Sequence, residues 1–215
     1  MEWVDRLSQV AKKTTTMKLA AHLCERRVND VLKGEDSFLN TLKSMGFQRV
    51  QINATARNGA DTSILSTCVE TFCELVNKQH DLEFILQKNE ETRPLWEGLL
   101  QLSTDSSGGP GRLPDNVSML VDESKGTGVL ASSWPEAPEE YRIGYAGGIG
   151  PHNIENVLKD VVVASKDRPV WIDMESKIRS TKEGKDVFDL DKCYSVIAAV
   201  CTAGLHSHPD FLPTL

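Results

Sequence analysis

The sequence predicts an α/β protein built on a parallel sheet that is covered by helices. Short apolar runs of strand length recur along the chain, and their starts lie 25 to 34 residues apart. Amphipathic stretches with apolar residues three or four positions apart, such as Ile154, Val157, Leu158 and Val161, lie between them. Alternating strands and helices favour parallel strands joined by right-handed crossovers. The six runs are Lys18–Cys24, Arg49–Ala54, Leu82–Lys88, Asn116–Glu123, Tyr141–Gly147 and Pro169–Glu175.

The number of strands leaves two architectures open. A closed TIM-type β/α barrel has eight strands in roughly 250 residues, whereas this chain has six runs, and Trp3–Lys13 has the pattern of a helix. The sequence therefore predicts either an open α/β sheet or an incomplete barrel that contains strands 3–8. We expect one domain over residues 1–204 and a C-terminal tail over residues 205–215. The two edges of an incomplete barrel are expected to favour self-association.

Composition excludes several classes of function. The 215 residues include 24 Lys and Arg against 31 Asp and Glu, a net charge of −7, which argues against a nucleic-acid partner. No apolar run approaches the roughly 20 residues of a membrane span, and the N-terminus lacks the apolar region of a secretory signal. We therefore expect a cytoplasmic protein. The five cysteines have no metal-like spacing and are interpreted as small buried residues.

Side-chain alternation predicts a polar pocket at the carboxyl ends of the strands. Val50 and Ile52 are expected to face the helices, which places Gln51 and Asn53 on the opposite face. Parallel β/α proteins place their chemistry at this edge of the sheet. The same alternation predicts the complete set of pocket residues as His22, Gln51, Asn53, Asp122, Asp173 and Glu175.

The segment YAGGIGPHNIENVL, Tyr145–Leu158, carries the strongest local signal. A strand runs into Gly147 and Gly148, and a proline turn then leads to a helix for which Asn153 is the predicted N-cap. Glycines let a backbone approach a ligand closely, and a helix N-terminus offers N–H groups to an anion. The segment therefore predicts a phosphate-binding site.

This segment resembles the AGGLxPxNV phosphate-binding segment in the seventh strand–helix unit of phosphoribosylanthranilate isomerase, a ribulose-phosphate-binding β/α barrel. Three further segments resemble that family in the matching order, and the likeness spans about residues 15 to 200. NVSMLVDESKGTG resembles the sixth strand and its loop, and RVQINATARNG resembles the fourth strand, VQLHG. VWIDMESKIRS resembles the eighth strand, DVSSGVE: Asp173 and Ser176 match, and Lys177 replaces the glycine.

The resemblance implies an aldose–ketose (Amadori) isomerase of tryptophan biosynthesis, an intramolecular oxidoreductase that acts on a phosphorylated sugar without a cofactor. Asp122 matches the general acid of the family. The implied phosphate-binding residues are Gly147, Gly148, Asn153, Ser176 and Lys177. The family's cysteine base and its anthranilate-binding arginine belong to the two opening strands, which have no counterpart here. Cys24 ends the run that aligns as the third strand, so it is not a positional match for the base.

Two other functions remain open at the level of sequence. In a metal-dependent sugar-phosphate epimerase, His22 with Asp122, Asp173 or Glu175 would hold a divalent ion. A non-catalytic relative would keep the phosphate-binding site without turnover, because one barrel fold hosts many functions. Metal analysis and turnover of phosphoribosylanthranilate distinguish these alternatives.

Overall fold

Six strands form one parallel sheet, and their order in the sheet is their order along the chain. This order is that of a singly wound β/α barrel, whereas the strand order of a doubly wound open sheet reverses. The predicted β/α-barrel fold class is therefore confirmed. The strands are β1 (Leu19–Leu23), β2 (Phe47–Ile52), β3 (Glu83–Lys88), β4 (Val117–Val121), β5 (Arg142–Ala146) and β6 (Val170–Asp173).

The computed structural model describes residues 5, 9, 18–103, 111–122 and 129–205. The predicted helix Trp3–Lys13 lies outside these residues, apart from Asp5 and Gln9, which are both helical. The predicted tail also lies outside them after Leu205. Within the described residues, β1 and β6 are the end strands of the sheet, as predicted.

The chain divides into two compact units. The first comprises Met1–Leu120 and Glu139–Arg142, and the second comprises Val121–Pro138 and Ile143–Leu215. A single domain over residues 1–204 stays a prediction. No helix in the described part of the chain is both long enough and apolar enough to cross a membrane.

The first unit buries one face of its strands under four helices. These are α1 (Glu25–Leu32), α2 (Ser37–Ser44), α3 (Val69–Lys78) and α4 (Arg93–Leu102). Val50 and Ile52 belong to this core, which confirms that they face the helices. Phe72 of α3 packs edge-to-face on Phe84 of β3, with ring centroids 5.8 Å apart. Met119 of β4 belongs to the same core.

The opposite face of the first unit carries a charged layer near the amino ends of the strands. Arg49 Nε lies 2.8 Å from Glu83 Oε2, and Ser118 Oγ donates a hydrogen bond of 2.9 Å to Glu83 Oε1. Arg142 Nη2 lies 3.6 Å from the same carboxylate. Two cations and a hydroxyl around one carboxylate satisfy a charge that would be costly to bury alone. This end of a β/α barrel serves stability, and the sequence analysis did not anticipate the layer.

The second unit contains β5 from Ile143 onward, β6, and the helices α5 (Ile154–Ser165) and α6 (Leu190–Thr202). β5 and β6 pair in parallel, with Gly144 opposite Trp171 and Ala146 opposite Asp173. Residues opposite each other in adjacent parallel strands project from the same face of the sheet. Trp171 and Asp173 therefore share a face, as the alternation predicted.

A small antiparallel hairpin follows β6 and was not predicted. It consists of β7 (Arg179–Lys182) and β8 (Lys185–Phe188). Glu183 and Gly184, the two residues of its turn, have φ angles of +51° and +73°. Two consecutive positive φ values define a type I′ turn, whose twist suits a two-residue hairpin.

Candidate functional site

The glycine turn after β5 has the backbone conformation that its sequence suggested. Gly147 has a φ of +119° and Gly148 a φ of +63°, values that residues with a side chain rarely adopt. Gly148 is buried and Gly147 is half-buried. Both glycines are therefore required by the backbone path from the sheet to α5.

Asn153 closes the loop with both polar groups of its side chain. Its Oδ1 accepts a hydrogen bond of 2.9 Å from the Gly150 N–H, and its Nδ2 donates one of 3.0 Å to the Gly148 carbonyl. Asn153 occupies the N-cap position of α5, as predicted, but its side chain bonds no N–H of the first helical turn. The amide of Asn153 is instead used by the loop. The side chain of Asn153 fixes the shape of the loop.

The structure brings Lys177 to this loop. Lys177 lies in a short 3₁₀ turn, Ser176–Ile178, directly after the sheet. A Cβ atom placed on Gly150 would lie only 2.4 Å from Lys177 Cβ. The lysine stem therefore crosses the loop directly over Gly150, which has no side chain to block it. Ser176 is exposed in the same turn. Two segments that the sequence analysis assigned to one phosphate site are therefore neighbours.

The turn that carries Lys177 is anchored on its far side. Ile178 is buried, and its carbonyl accepts a hydrogen bond of 2.9 Å from the Asp189 N–H. The Asp189 carboxylate accepts a hydrogen bond of 2.5 Å from Ser180 Oγ and further bonds from the N–H groups of Asp191 and Lys192. The Ser180 bond is the largest cause of the lowered pKa of Asp189. Asp189 thus caps α6 and ties the helix to the hairpin.

The predicted acidic residues of the second unit lie at or beyond the ends of their strands. Asp122 directly follows β4 and is 7% exposed. Asp173 is the last residue of β6 and is half-buried. Glu175 is exposed and lies beyond the end of β6, so alternation along the strand does not set its direction. The loop Lys125–Gly128 of the resemblance lies outside the described residues.

Three predicted pocket residues of the first unit form one hydrogen-bonded row. His22 pairs with Gln51 across β1 and β2, and Gln51 Nε2 lies 3.4 Å from His22 Nε2. Gln51 Nε2 also donates a hydrogen bond of 3.1 Å to Asn53 Oδ1. Asn53 is fully buried, and its Nδ2 donates to the Leu23 carbonyl at 2.9 Å and approaches Cys24 Sγ at 3.8 Å. Their interactions with one another stabilise the sheet edge, and their role in a substrate pocket stays a prediction.

The last two residues of β3, Gln87 and Lys88, face opposite sides of the sheet. Lys88 Nζ bonds the Tyr141 hydroxyl at 2.6 Å and lies 4.9 Å from the ring centroid of Trp96 on α4. Lys88 therefore points toward the helices, and alternation places the buried Gln87 on the opposite face. Asn89 follows, and it is also buried, with Oδ1 accepting from the N–H groups of Glu91 and Thr92.

A metal site is one of the alternatives that the sequence left open. In the part of the chain that the structure describes, no group of three or more His, Cys, Asp or Glu side chains is placed to hold a metal ion. The set proposed for an epimerase, His22 with Asp122, Asp173 or Glu175, stays a prediction, because His22 belongs to the first unit and the carboxylates belong to the second.

His152 is a residue that the sequence analysis did not select. It is exposed, and its Nδ1 lies 3.5 Å from the position that a Cβ of Gly150 would occupy. Its place in the segment GPHN, between the proline turn and Asn153, was the available signal. The sequence could not show that His152 and Lys177 both lie near Gly150, because Lys177 belongs to a different segment of the chain.

Comparison with known proteins adds little to this geometry. No protein-family model and no curated protein matches the chain. Among solved structures, the chain is similar to one titled "Native KDPGal structure", with 11% sequence identity over 94% of this chain and 77% of that chain, and a TM-score of 0.44. A likeness at this identity and TM-score carries no argument about function.

Proposed function

We propose that this protein binds a phosphorylated sugar, with the phosphate held in the second unit by the loop 147–153 and Lys177. One observation carries the proposal: Lys177 crosses Gly150, so a cationic side chain meets a glycine-rich loop at the start of a helix. The phosphate-binding resemblance of the loop, taken from its sequence, predicts the same pairing.

The two segments supply different interactions. Gly147 and Gly148 carry no side chains, so an anion can come close to the loop backbone at the half-buried Gly147. The N-terminus of α5 adds the positive end of the helix dipole. Lys177 adds a full positive charge on a flexible stem. Together they favour a phosphate over a neutral hydroxyl group.

We further propose an aldose–ketose isomerisation with Asp122 as the general acid, which the resemblance implies. The carboxylic acid would donate its proton to the ring oxygen of the sugar and open the ring. Loss of the C2 proton and reprotonation then complete the isomerisation without an external oxidant or reductant. Asp122 is buried and directly follows β4, at the carboxyl end of the strand where β/α barrels place their chemistry.

Phosphate binding is tested by titration with ribose 5-phosphate. Gly148→Val combines a β-branched side chain with a positive φ at the loop, and it should abolish binding. Gly184→Val is the matched control, because it imposes the same backbone strain in the hairpin turn, where a Cβ would meet nothing within 4 Å. Equal affinities of wild type and Gly148→Val would refute the proposed phosphate site.

Catalysis is tested separately by turnover of phosphoribosylanthranilate. Asp122→Asn should remove turnover and leave the affinity for ribose 5-phosphate within about twofold, because it deletes the proton donor and keeps a side chain of similar size. Binding without turnover in the wild type would refute the isomerase and retain the phosphate-binding function.

A further inference from the structure

We infer that Trp171 is a sugar-binding platform on the face of β6 that also carries Asp173. Its indole ring would stack on the carbon-bound hydrogens of a sugar, and its N–H would donate to a sugar oxygen. The inference rests on the proposed function, and it names the side chain that recognises the sugar as distinct from the phosphate.

The indole of Trp171 lies with one face on β5. A Cβ placed on Gly144 would lie 2.1 Å from Cε2, 2.3 Å from Nε1 and 2.6 Å from Cδ2 of the ring. Cε2 is bonded to the other two atoms, and a point so close to all three lies above the plane of the ring and not at its edge. One face of the indole therefore rests on Gly144, and the other face is directed away from the sheet.

This arrangement is unusual for an aromatic residue in a strand. Side chains normally stand roughly perpendicular to a sheet, and a glycine inside a strand often marks a place where another group comes close to the backbone. Gly144 is buried under the ring, whereas Trp171 itself is only half-buried. The next residue of β5 on this face, Ala146, is small, so no large side chain of β5 covers the ring toward the carboxyl end of the sheet.

The indole N–H of Trp171 has no partner within the residues that the structure describes. No group among them accepts a hydrogen bond from Trp171 Nε1, and Nε1 is not one of their buried polar atoms that lack a partner. The indole N–H of a buried tryptophan usually finds a hydrogen-bond partner. Trp171 therefore offers a ligand both the face of an aromatic ring and a hydrogen-bond donor.

These two groups together favour a sugar as the ligand. The face of an aromatic ring is negative and attracts the weakly positive C–H groups of a sugar ring, while the indole N–H suits a hydroxyl or ring oxygen. A purely apolar ligand would leave the donor unused. The proposed phosphate loop begins at Gly147, three residues and thus about 10 Å along the chain from Gly144, a distance that a pentose phosphate can span.

The test measures the affinities of the full chain for ribose 5-phosphate and for inorganic phosphate by isothermal titration calorimetry. Trp171→Leu should weaken ribose 5-phosphate by about five- to thirtyfold and leave inorganic phosphate within about twofold, because only the sugar touches the ring. Trp171→Phe should retain more of the affinity than Trp171→Leu, because it keeps an aromatic face.

Trp134→Leu is the matched control and should leave both affinities unchanged. It removes a second half-buried tryptophan of the same unit, which packs edge-to-face on Tyr145 with ring centroids 5.5 Å apart. Tyr145 alternates with Gly144 along β5 and therefore projects from the opposite face of the sheet. A fluorescence titration of the wild type gives a readout without a substitution at the platform: ribose 5-phosphate should change the tryptophan emission more than inorganic phosphate does.

The outcomes separate this inference from the proposed function. If Trp171→Leu binds ribose 5-phosphate as tightly as the wild type, the platform is wrong and the phosphate site stands. If Trp171→Leu weakens both ligands equally, the ring acts through the fold and the inference is also wrong. If the wild type binds neither ligand, the phosphate site fails, and titration with D-ribose then tests the platform alone: binding that Trp171→Leu removes would support it, and no binding would overturn it.

Discussion

Gly144 and Trp171 offer the sharpest test of the geometry of the second unit. The two residues lie opposite each other on β5 and β6. A Cβ placed on Gly144 would lie 2.1 Å from Cε2 and 2.3 Å from Nε1 of the Trp171 indole. The ring therefore lies flat across the glycine, and Gly144→Ala must push the indole or the strand away.

Whether Gly144→Ala raises or lowers the free energy of unfolding should depend on the presence of the Trp171 ring. Overpacking typically lowers the free energy of unfolding by about 1–3 kcal/mol. Replacement of a strand glycine by alanine raises it by about 0.5–1 kcal/mol. Gly144→Ala alone should therefore destabilise the protein, by up to about 2.5 kcal/mol. Once Trp171→Ala has removed the ring, the same substitution should stabilise by about 0.5–1 kcal/mol, because only the backbone term remains.

The double-mutant cycle is measured by urea unfolding. Far-UV circular dichroism is the appropriate probe, because Trp171→Ala removes one of the four tryptophans and would change the fluorescence signal. Trp171→Ala alone should cost less than the roughly 3–5 kcal/mol of a fully buried aromatic residue, since Trp171 is only half-buried. If Gly144→Ala has the same effect with and without Trp171, the indole does not lie on Gly144 and the register of β5 and β6 is wrong.

Three further predictions concern single side chains. Asn116 Nδ2 donates to the carbonyls of Val76, Gln79 and Leu82, so Asn116→Ala should cost about 1–2 kcal/mol in urea unfolding, and Asn116→Asp should cost more because a carboxylate would face three carbonyls. Asp189→Ala should lower the midpoint of thermal unfolding by about 2–4 °C at pH 7. Because the pKa of Asp189 is lowered, its stabilising effect is complete above the ordinary pKa of 3.8 and is lost as the pH falls through the lowered value. The difference in unfolding midpoint between Asp189→Ala and wild type should therefore shrink below about pH 4. A difference that stays constant with pH would contradict the assigned bonds. Burial raises the pKa of the Cys68 thiol to about 11. Cys68 should therefore resist alkylation by iodoacetamide at pH 8, while the exposed Cys201 reacts. Equal alkylation rates of the two cysteines, measured by mass spectrometry, would place Cys68 at the surface.

The strands and their faces could be predicted because burial leaves a local record in the sequence. Five of the six predicted runs contain the observed strand, and the sixth, Arg49–Ala54, overlaps β2, which begins at Phe47. The alternation of Val50 and Ile52 with Gln51 identified the helix-facing side of β2. Alternation predicts the direction of a side chain only within a strand and not beyond its end. β6 ends at Asp173, and the direction of Glu175 therefore could not be predicted from it.

The hairpin and the contact at Gly150 could not be predicted for different reasons. The segment RSTKEGKDVF has a Glu-Gly turn between short polar strands, and without an apolar face it lacks the usual strand signal. The close approach of Lys177 to Gly150 joins residues far apart in the chain. A single sequence does not show such a pairing, because it arises only when β6 is laid beside β5.

The Gly150–Lys177 contact joins the two segments whose sequences resemble the isomerase family. The isomerase segment DVSSGVE has glycine where this chain has Lys177, and the segment AGGLxPxNV tolerates any residue where this chain has Gly150. A lysine stem can cross the loop only where the loop carries no side chain, since a Cβ at position 150 would lie 2.4 Å from Lys177 Cβ. Gly150 and Lys177 therefore depend on each other. The absence of a side chain at Gly150 makes room for the lysine stem from the neighbouring turn. In the proposed phosphate site, the charge of Lys177 would hold the ligand in addition to the backbone N–H groups of the loop. Such a site should depend on ionic strength more steeply than one built from backbone groups alone.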